Sequence, residues 1–96
     1  MLVLTGEAQG AIRGIIEEAG VGPDGGLRIS GSNEGNGETA LEFDVAHGPA
    51  DGDEVVTDGG ATVFLDETAS ALLTDKLLDV HAHGDHFHFS IDEQGG

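Results

Sequence analysis

Apolar residues recur along the chain with two different spacings, and these spacings predict its secondary structure. Near the start they return every three or four residues, as on one face of a helix. The positions of this apolar stripe are Ala8, Ile12, Ile15, Ile16 and Ala19. Thr5 can cap the helix through its hydroxyl, and Gly20 follows its last turn. The pattern therefore predicts a helix over residues 6–19.

A second, shorter helix is predicted over residues 67–75. Asp66 precedes it as a capping residue, and Glu67 lies in its first turn, where the helix dipole favours an acidic side chain. Ala69, Leu72 and Leu73 have helical spacing and are predicted to form its buried stripe.

Short apolar or alternating segments elsewhere predict strands. They are residues 2–4, 27–30, 41–45, 54–58, 61–65, 77–83 and 86–91. Gly59 and Gly60 are predicted to join two of them in a hairpin, and residues 31–37 to form a glycine-rich connecting loop. This order predicts one compact, β-rich α+β domain over residues 1–92, with short, mostly antiparallel strands, and a flexible tail at 93–96.

Composition limits the function. The 96 residues have 19 acidic side chains against three basic ones, for a formal net charge of −16. Such a surface repels phosphate groups, so nucleic acid and anionic membranes are not expected partners. No apolar run reaches the length of a membrane span, and no signal peptide is recognisable. We therefore expect a cytoplasmic protein.

Four of the five histidines fall in one short segment, at His81, His83, His86 and His88. They alternate with apolar residues on either side of Gly84-Asp85, a pair that fits a two-residue hairpin turn with glycine first. In that hairpin His83 faces His86 and His81 faces His88. Because strand side chains alternate between faces, all four imidazoles are predicted to lie on one side.

This arrangement suits a metal ion. Directly opposed strand residues have Cβ atoms about 4.5–5.5 Å apart, so two imidazoles can share Zn²⁺, Ni²⁺ or Cu²⁺. Asp85 can add a ligand or an outer-shell acceptor. The predicted metal ligands are His81, His83, His86 and His88. The alternative interpretation is a solvated histidine face with no physiological metal.

Short sequence segments along nearly the whole chain resemble those of the HesB/IscA, or A-type, iron–sulfur cluster assembly family. The matching segments are residues 4–5, 26–29, 41–43, 52–56, 60, 63–66, 78–80 and 87–89, in the order and with the spacing of that family. The resemblance implies a compact β-rich fold with two helices, a cytosolic role around cluster assembly, iron–sulfur assembly proteins as partners, and a homodimer.

The resemblance does not extend to the family's three functional cysteines, because this chain contains no cysteine. The position of the first falls near Asn33 or Glu34, and the family's Cys-Gly-Cys pair has no counterpart. Iron–sulfur clusters are held mainly by thiolates, so a cluster is disfavoured. We therefore expect a cysteine-less, divergent or degenerate member acting as a non-enzymatic binding or adaptor protein.

Two alternatives remain open. One is a histidine-based protein that binds a divalent metal such as Zn, Ni or Fe at the 81–88 hairpin. The other is a small enzyme with a histidine and a carboxylate, Asp79 or Asp85, as general base, although no nucleophile motif accompanies them.

Overall fold

The computed structural model describes residues 2–22, 24–33, 39–84 and 86–93. At six of these positions it describes the backbone alone: Asn33, Thr39, Ala82, His83, His86 and Phe87. The elements in chain order are β1 (Val3–Leu4), α1 (Gly6–Ala19), β2 (Gly26–Asn33), β3 (Thr39–Ala46), β4 (Glu54–Asp58), β5 (Ala61–Leu65), α2 (Glu67–Leu73), β6 (Lys76–His83) and β7 (His86–Glu93). The predicted α+β class is confirmed.

Helix α1 has the predicted bounds because both of its ends are capped. The Thr5 hydroxyl accepts a hydrogen bond from the Ala8 N–H at 3.1 Å. Gly20 adopts a left-handed conformation with φ of 67°, and its N–H donates to the carbonyls of Ile16 and Glu17. The first half of the apolar stripe is buried at Ala8 and Ile12, whereas Ala19 at the far end is exposed.

Helix α2 also starts as predicted, since the Asp66 carboxylate accepts from the Ala69 N–H at 2.8 Å. It ends at Leu73 rather than at residue 75, because Thr74 has a non-helical ψ of 126° and Asp75 has a left-handed φ of 59°. The predicted stripe is wrong at Leu72, which is 42% exposed, while Ala69 and Leu73 are buried. This short helix packs mainly on β2 and β5 and buries only the face that carries Ala69 and Leu73.

The strands form two sheets. One has the order β1-β6-β7, and the other has the order β3-β2-β5-β4. β1 pairs with β6, and β2 with β5, in parallel, while the other three pairings are antiparallel. The predicted β4–β5 hairpin is confirmed, and Gly59 and Gly60 have positive φ values of 57° and 83°, as its turn requires.

Two strands, β2 and β7, continue by more than one residue beyond their predicted ends. β2 runs through Gly31 to Asn33, into the segment predicted to be a loop, because these residues pair with the start of β3. β7 runs to Glu93, which lies opposite Lys76. In both cases a partner strand extends a segment whose composition gives no strand signal.

The core lies between α1 and the two sheets. Its largest buried side chains are Leu2, Ile12, Ile29, Leu65, Leu73, Leu78, Val56, Val63 and Val80, while Phe64 is buried outside this cluster. Phe43 of β3 and Phe89 of β7 stack with ring centroids 4.3 Å apart and so join the two sheets. Neither α1 nor α2, the helices in the described part of the chain, is long and apolar enough to cross a membrane.

Candidate metal centre

The histidine segment forms the predicted β6–β7 hairpin. Its backbone register places His81 opposite His88 and His83 opposite His86, as the alternation predicted. Gly84 starts the turn with a positive φ of 59°, a conformation that glycine adopts without a steric penalty. The register of the four histidines is therefore confirmed, and metal binding by them stays a prediction.

The two faces of β6 differ in burial. Leu78 and Val80 are buried in the core, and Phe89 of β7, opposite Val80, stacks on Phe43. The alternate side chains of β6 point the other way, so the Asp79 and His81 side chains are 24% and 47% exposed. The burial of one face thus holds the other face toward solvent.

The start of α1 lies beside this exposed face because of the parallel β1–β6 pairing. Leu4 is paired with Leu78, and the Thr5 N–H donates to the Leu78 carbonyl at 3.0 Å. Beyond Leu4 the chain continues in the same direction as β6, toward Asp79. The first turn of α1, with Glu7, therefore starts next to the outward side chains of β6.

Asp79 is held by hydrogen bonds at one carboxylate oxygen. Its Oδ1 accepts from the Thr5 hydroxyl at 2.7 Å and from the Val80 N–H at 2.9 Å. The bond from Thr5 is the largest influence on the pKa of Asp79, which lies below its ordinary value of 3.8 although partial desolvation opposes the shift. The Val80 N–H and nearby His81 lower this pKa further. The carboxylate is consequently ionised and fixed in orientation near neutral pH.

His81 lies between two carboxylates from different elements. Its Nε2 is 3.1 Å from Oδ2 of Asp79, and its Nδ1 is 3.5 Å from Oε2 of Glu7. One ligand atom from each of the three side chains lies within 4.8 Å of the other two. The three residues form a mixed imidazole and carboxylate cluster, which we call the Glu7–Asp79–His81 cluster.

The predicted ligands have different places in this arrangement. His81 belongs to the cluster, and His88 is an exposed residue directly opposite it. The side chains of His83 and His86, and the whole of Asp85, lie outside the described residues. Glu7 was not predicted, and the one sequence signal for it is its position in the first turn of a helix that follows a short strand.

Comparison with known proteins adds the fold type. No protein-family model and no curated protein sequence matches the chain. Among solved structures, Escherichia coli SufA, involved in biosynthesis of iron–sulfur clusters, matches with a TM-score of 0.79 and 21% identity over 96% of this chain and 79% of its own. A structure of IscA with a [2Fe-2S] cluster matches with a TM-score of 0.74 and 20% identity over 97% and 85%. This chain has the HesB/IscA fold. The fold expected from the sequence resemblance is thereby confirmed.

The matching structure of IscA holds a [2Fe-2S] cluster, and the residues of this chain do not fit such a cluster. Clusters are held mainly by cysteine thiolates, and the chain has no cysteine. In the β2 segment where the family places its first cysteine, the structure has Asn33 at the end of the strand. The donors that the Glu7–Asp79–His81 cluster offers are oxygen and imidazole nitrogen, which suit a single transition-metal ion.

Proposed function

We propose that this chain is a non-enzymatic binding or adaptor protein of iron–sulfur biogenesis that does not itself carry a thiolate-ligated cluster. The observation that supports this function is the HesB/IscA fold, which extends over 96% of the chain in the match to SufA. Without cysteine the chain has no thiolate to hold a cluster, so we assign its function to binding through the surface of the fold. Such a protein acts through binding, in the cytoplasm.

The test uses the full chain without an affinity tag, since a histidine tag would contribute its own metal. The chain is immobilised, and purified iron–sulfur assembly proteins from the same cell are passed over it. We expect saturable binding by at least one of them, and iron and acid-labile sulfide well below one per chain. Stoichiometric iron with sulfide and charge-transfer absorption would identify a cluster carrier instead, and no binding would contradict the adaptor.

The proposed adaptor is a homodimer, as the family resemblance implies. Sedimentation of the untagged chain at several concentrations measures its mass directly. A mass of one chain at every concentration would contradict the dimer without affecting the binding of assembly proteins.

A second candidate function is histidine-based binding of a divalent metal. It is favoured by the register of the hairpin, which places His81 opposite His88 and His83 opposite His86. Ligands that bind the folded state preferentially raise the melting temperature. We expect Zn²⁺ or Ni²⁺ to raise the melting temperature of the untagged chain. An unchanged melting temperature together with no calorimetric heat of binding would exclude this function.

A further inference from the structure

We propose that Glu7, Asp79 and His81 form a binding site for one divalent transition-metal ion that bridges helix α1 and strand β6, with His88 as a fourth donor. This inference rests on the second candidate function and specifies its ligands. It moves the site from the turn of the hairpin to the middle of β6, beside the first turn of α1.

The first argument is the surroundings of the imidazole. Both ring nitrogens of His81 face a carboxylate oxygen, at 3.1 Å and 3.5 Å. A neutral imidazole has one N–H and can donate to only one of these oxygens. Its other nitrogen then directs a lone pair toward negative charge, which is repulsive. A metal ion bound to that nitrogen and to the carboxylate it faces replaces this repulsion with two coordinate bonds, and the exposed Glu7 side chain reaches the same ion by rotation.

The second argument is the distances. Zn²⁺ lies about 2.0–2.2 Å from nitrogen and oxygen ligands, so two donors in a tetrahedral site are about 3.3–3.6 Å apart. The three donor atoms lie within 4.8 Å of one another, and Glu7 is 72% exposed and so has room to rotate. Small side-chain rotations therefore bring all three within coordinating distance.

The third argument is that part of the site is held in place before an ion binds. Oδ1 of Asp79 is occupied by Thr5 and by the Val80 N–H, and Oδ2 is directed at His81. Thr5 in turn caps α1 and is hydrogen-bonded to β6. Outer-shell bonds of this kind fix the orientation of metal ligands and commonly change metal affinity about 10- to 100-fold when removed.

The fourth argument is charge and donor type. Two carboxylates neutralise a dication, and the chain as a whole has a formal charge of −16. The positive end of the α1 dipole opposes a cation, but its partial charge of about half a unit is outweighed by the two carboxylates. Imidazole with carboxylate suits Zn²⁺, Fe²⁺ or Ni²⁺, whereas Ca²⁺ prefers six to eight oxygens.

The fourth donor follows from the sheet. His88 is directly opposite His81 across the β6–β7 pairing, and both side chains are exposed. Directly opposed residues have Cβ atoms about 4.5–5.5 Å apart, so rotation of the His88 side chain reaches an ion held at His81. Two histidines and two carboxylates complete a four-coordinate shell without thiolate.

The test is calorimetric titration of the metal-free, untagged chain with Zn²⁺. We expect one ion per chain, with affinity lowered at least about tenfold in Glu7→Gln and in His81→Ala. The matched control is Glu18→Gln, which removes the same charge from an exposed position of the same helix and should leave the affinity within about twofold. The double variant His83→Ala/His86→Ala should also bind normally.

A second measurement does not depend on variants. Zn²⁺ added to the isotope-labelled chain should shift the backbone NMR signals of residues 5–8 and 79–81 more than those of 83–86. Loss of binding in His83→Ala/His86→Ala with normal binding in Glu7→Gln would overturn the proposed ligands and leave metal binding by the hairpin intact. Equal weakening in Glu18→Gln would show non-specific attraction, and no Zn²⁺ binding by the unaltered chain would overturn both.

Discussion

Two aspartates of this protein each lie beside a nitrogen-containing side chain, and their surroundings give them different roles. The Asp53 carboxylate meets the Arg28 guanidinium through two hydrogen bonds of 3.1 Å and also accepts from the Ala50 N–H. Its side chain is 2% exposed. Asp79 meets the imidazole of His81 at 3.1 Å on an exposed face of β6.

The difference lies in whether the partner can be exchanged. A guanidinium stays protonated in proteins and cannot ligate a metal through a lone pair, so the Arg28–Asp53 pair is closed to other ligands. An imidazole can lose a proton and bind an ion, and water reaches the Glu7–Asp79–His81 cluster. The comparison indicates that Asp53 stabilises the fold, whereas Asp79 is available for binding.

The largest effect on stability is expected from Asp53→Ala. The change leaves the Arg28 guanidinium and the Ala50 N–H without their acceptor, and we expect a loss of about 2–3 kcal/mol in the free energy of unfolding. Chemical denaturation measures this loss. Asp51→Ala, in the same turn but exposed, is the control and should cost less than about 0.5 kcal/mol. Equal effects of the two changes would remove the distinction between the aspartates.

The second expected difference between the two aspartates is in how the free energy of unfolding falls at acidic pH. Burial alone would raise the pKa of Asp53, but hydrogen bonds from Arg28 and the Ala50 N–H, with the Arg28 charge, lower it below the ordinary value of 3.8. A pKa that is lowered in the folded state gives stability that is complete above the unfolded value and is lost as pH falls through the folded value. Stability should therefore fall below about pH 3.8.

Asp53→Asn should reduce the pH dependence of stability at acidic pH more than Asp79→Asn does. The reason is that Asp53 has a guanidinium partner and the less exposed carboxylate. Denaturation curves recorded between about pH 2 and 6 test this ranking. A steeper dependence on Asp79 would assign the principal stabilising role to the exposed aspartate.

A smaller effect is expected at Thr5, which links the start of α1 to Asp79. Thr5→Ala removes the helix cap and should cost about 1 kcal/mol, while Thr5→Ser keeps the hydroxyl and should cost a few tenths. Thr5→Ala should also raise the pKa of Asp79 toward 3.8, because the hydrogen bond from the Thr5 hydroxyl is the largest influence on that pKa. An NMR titration of the carboxylate reads this shift, and an unchanged pKa would contradict the proposed linkage.

The smallest effect on stability is expected from His81→Ala in the absence of metal. Exposed ion pairs contribute about 0–1 kcal/mol, and we expect a loss below about 0.5 kcal/mol. Denaturation in a chelating buffer measures it. A loss comparable to that of Asp53→Ala would mean that the Glu7–Asp79–His81 cluster stabilises the fold and would end the contrast between the two regions.

Local features of the sequence determined the secondary structure closely. Thr5 and Asp66 are caps because their side-chain oxygens satisfy N–H groups three residues away, an interaction that needs no distant partner. The histidine hairpin has the predicted register because alternation and a glycine turn fix strand pairing over adjacent residues. The fold type could also be predicted from the sequence, because short segments that resemble the HesB/IscA family occur in the same order along the chain.

The places where prediction failed depend on distant contacts. β2 continues past Gly31 because β3 pairs with it, and Leu72 is exposed because α2 buries only the face that carries Ala69 and Leu73. No local pattern carries this information, since both outcomes depend on which elements are neighbours in the folded chain.

The same division applies to the site. The sequence by itself determined the register that places His81 opposite His88 and His83 opposite His86, because alternation around a glycine turn fixes the pairing of adjacent strands. Only the tertiary structure brought Thr5 and Glu7 to the exposed face of β6, since the parallel β1–β6 pairing joins residues 74 positions apart, as the bond from Thr5 to Asp79 records. Such pairing depends on the burial of Leu4 and Leu78 in a shared core, which is a property of the whole fold.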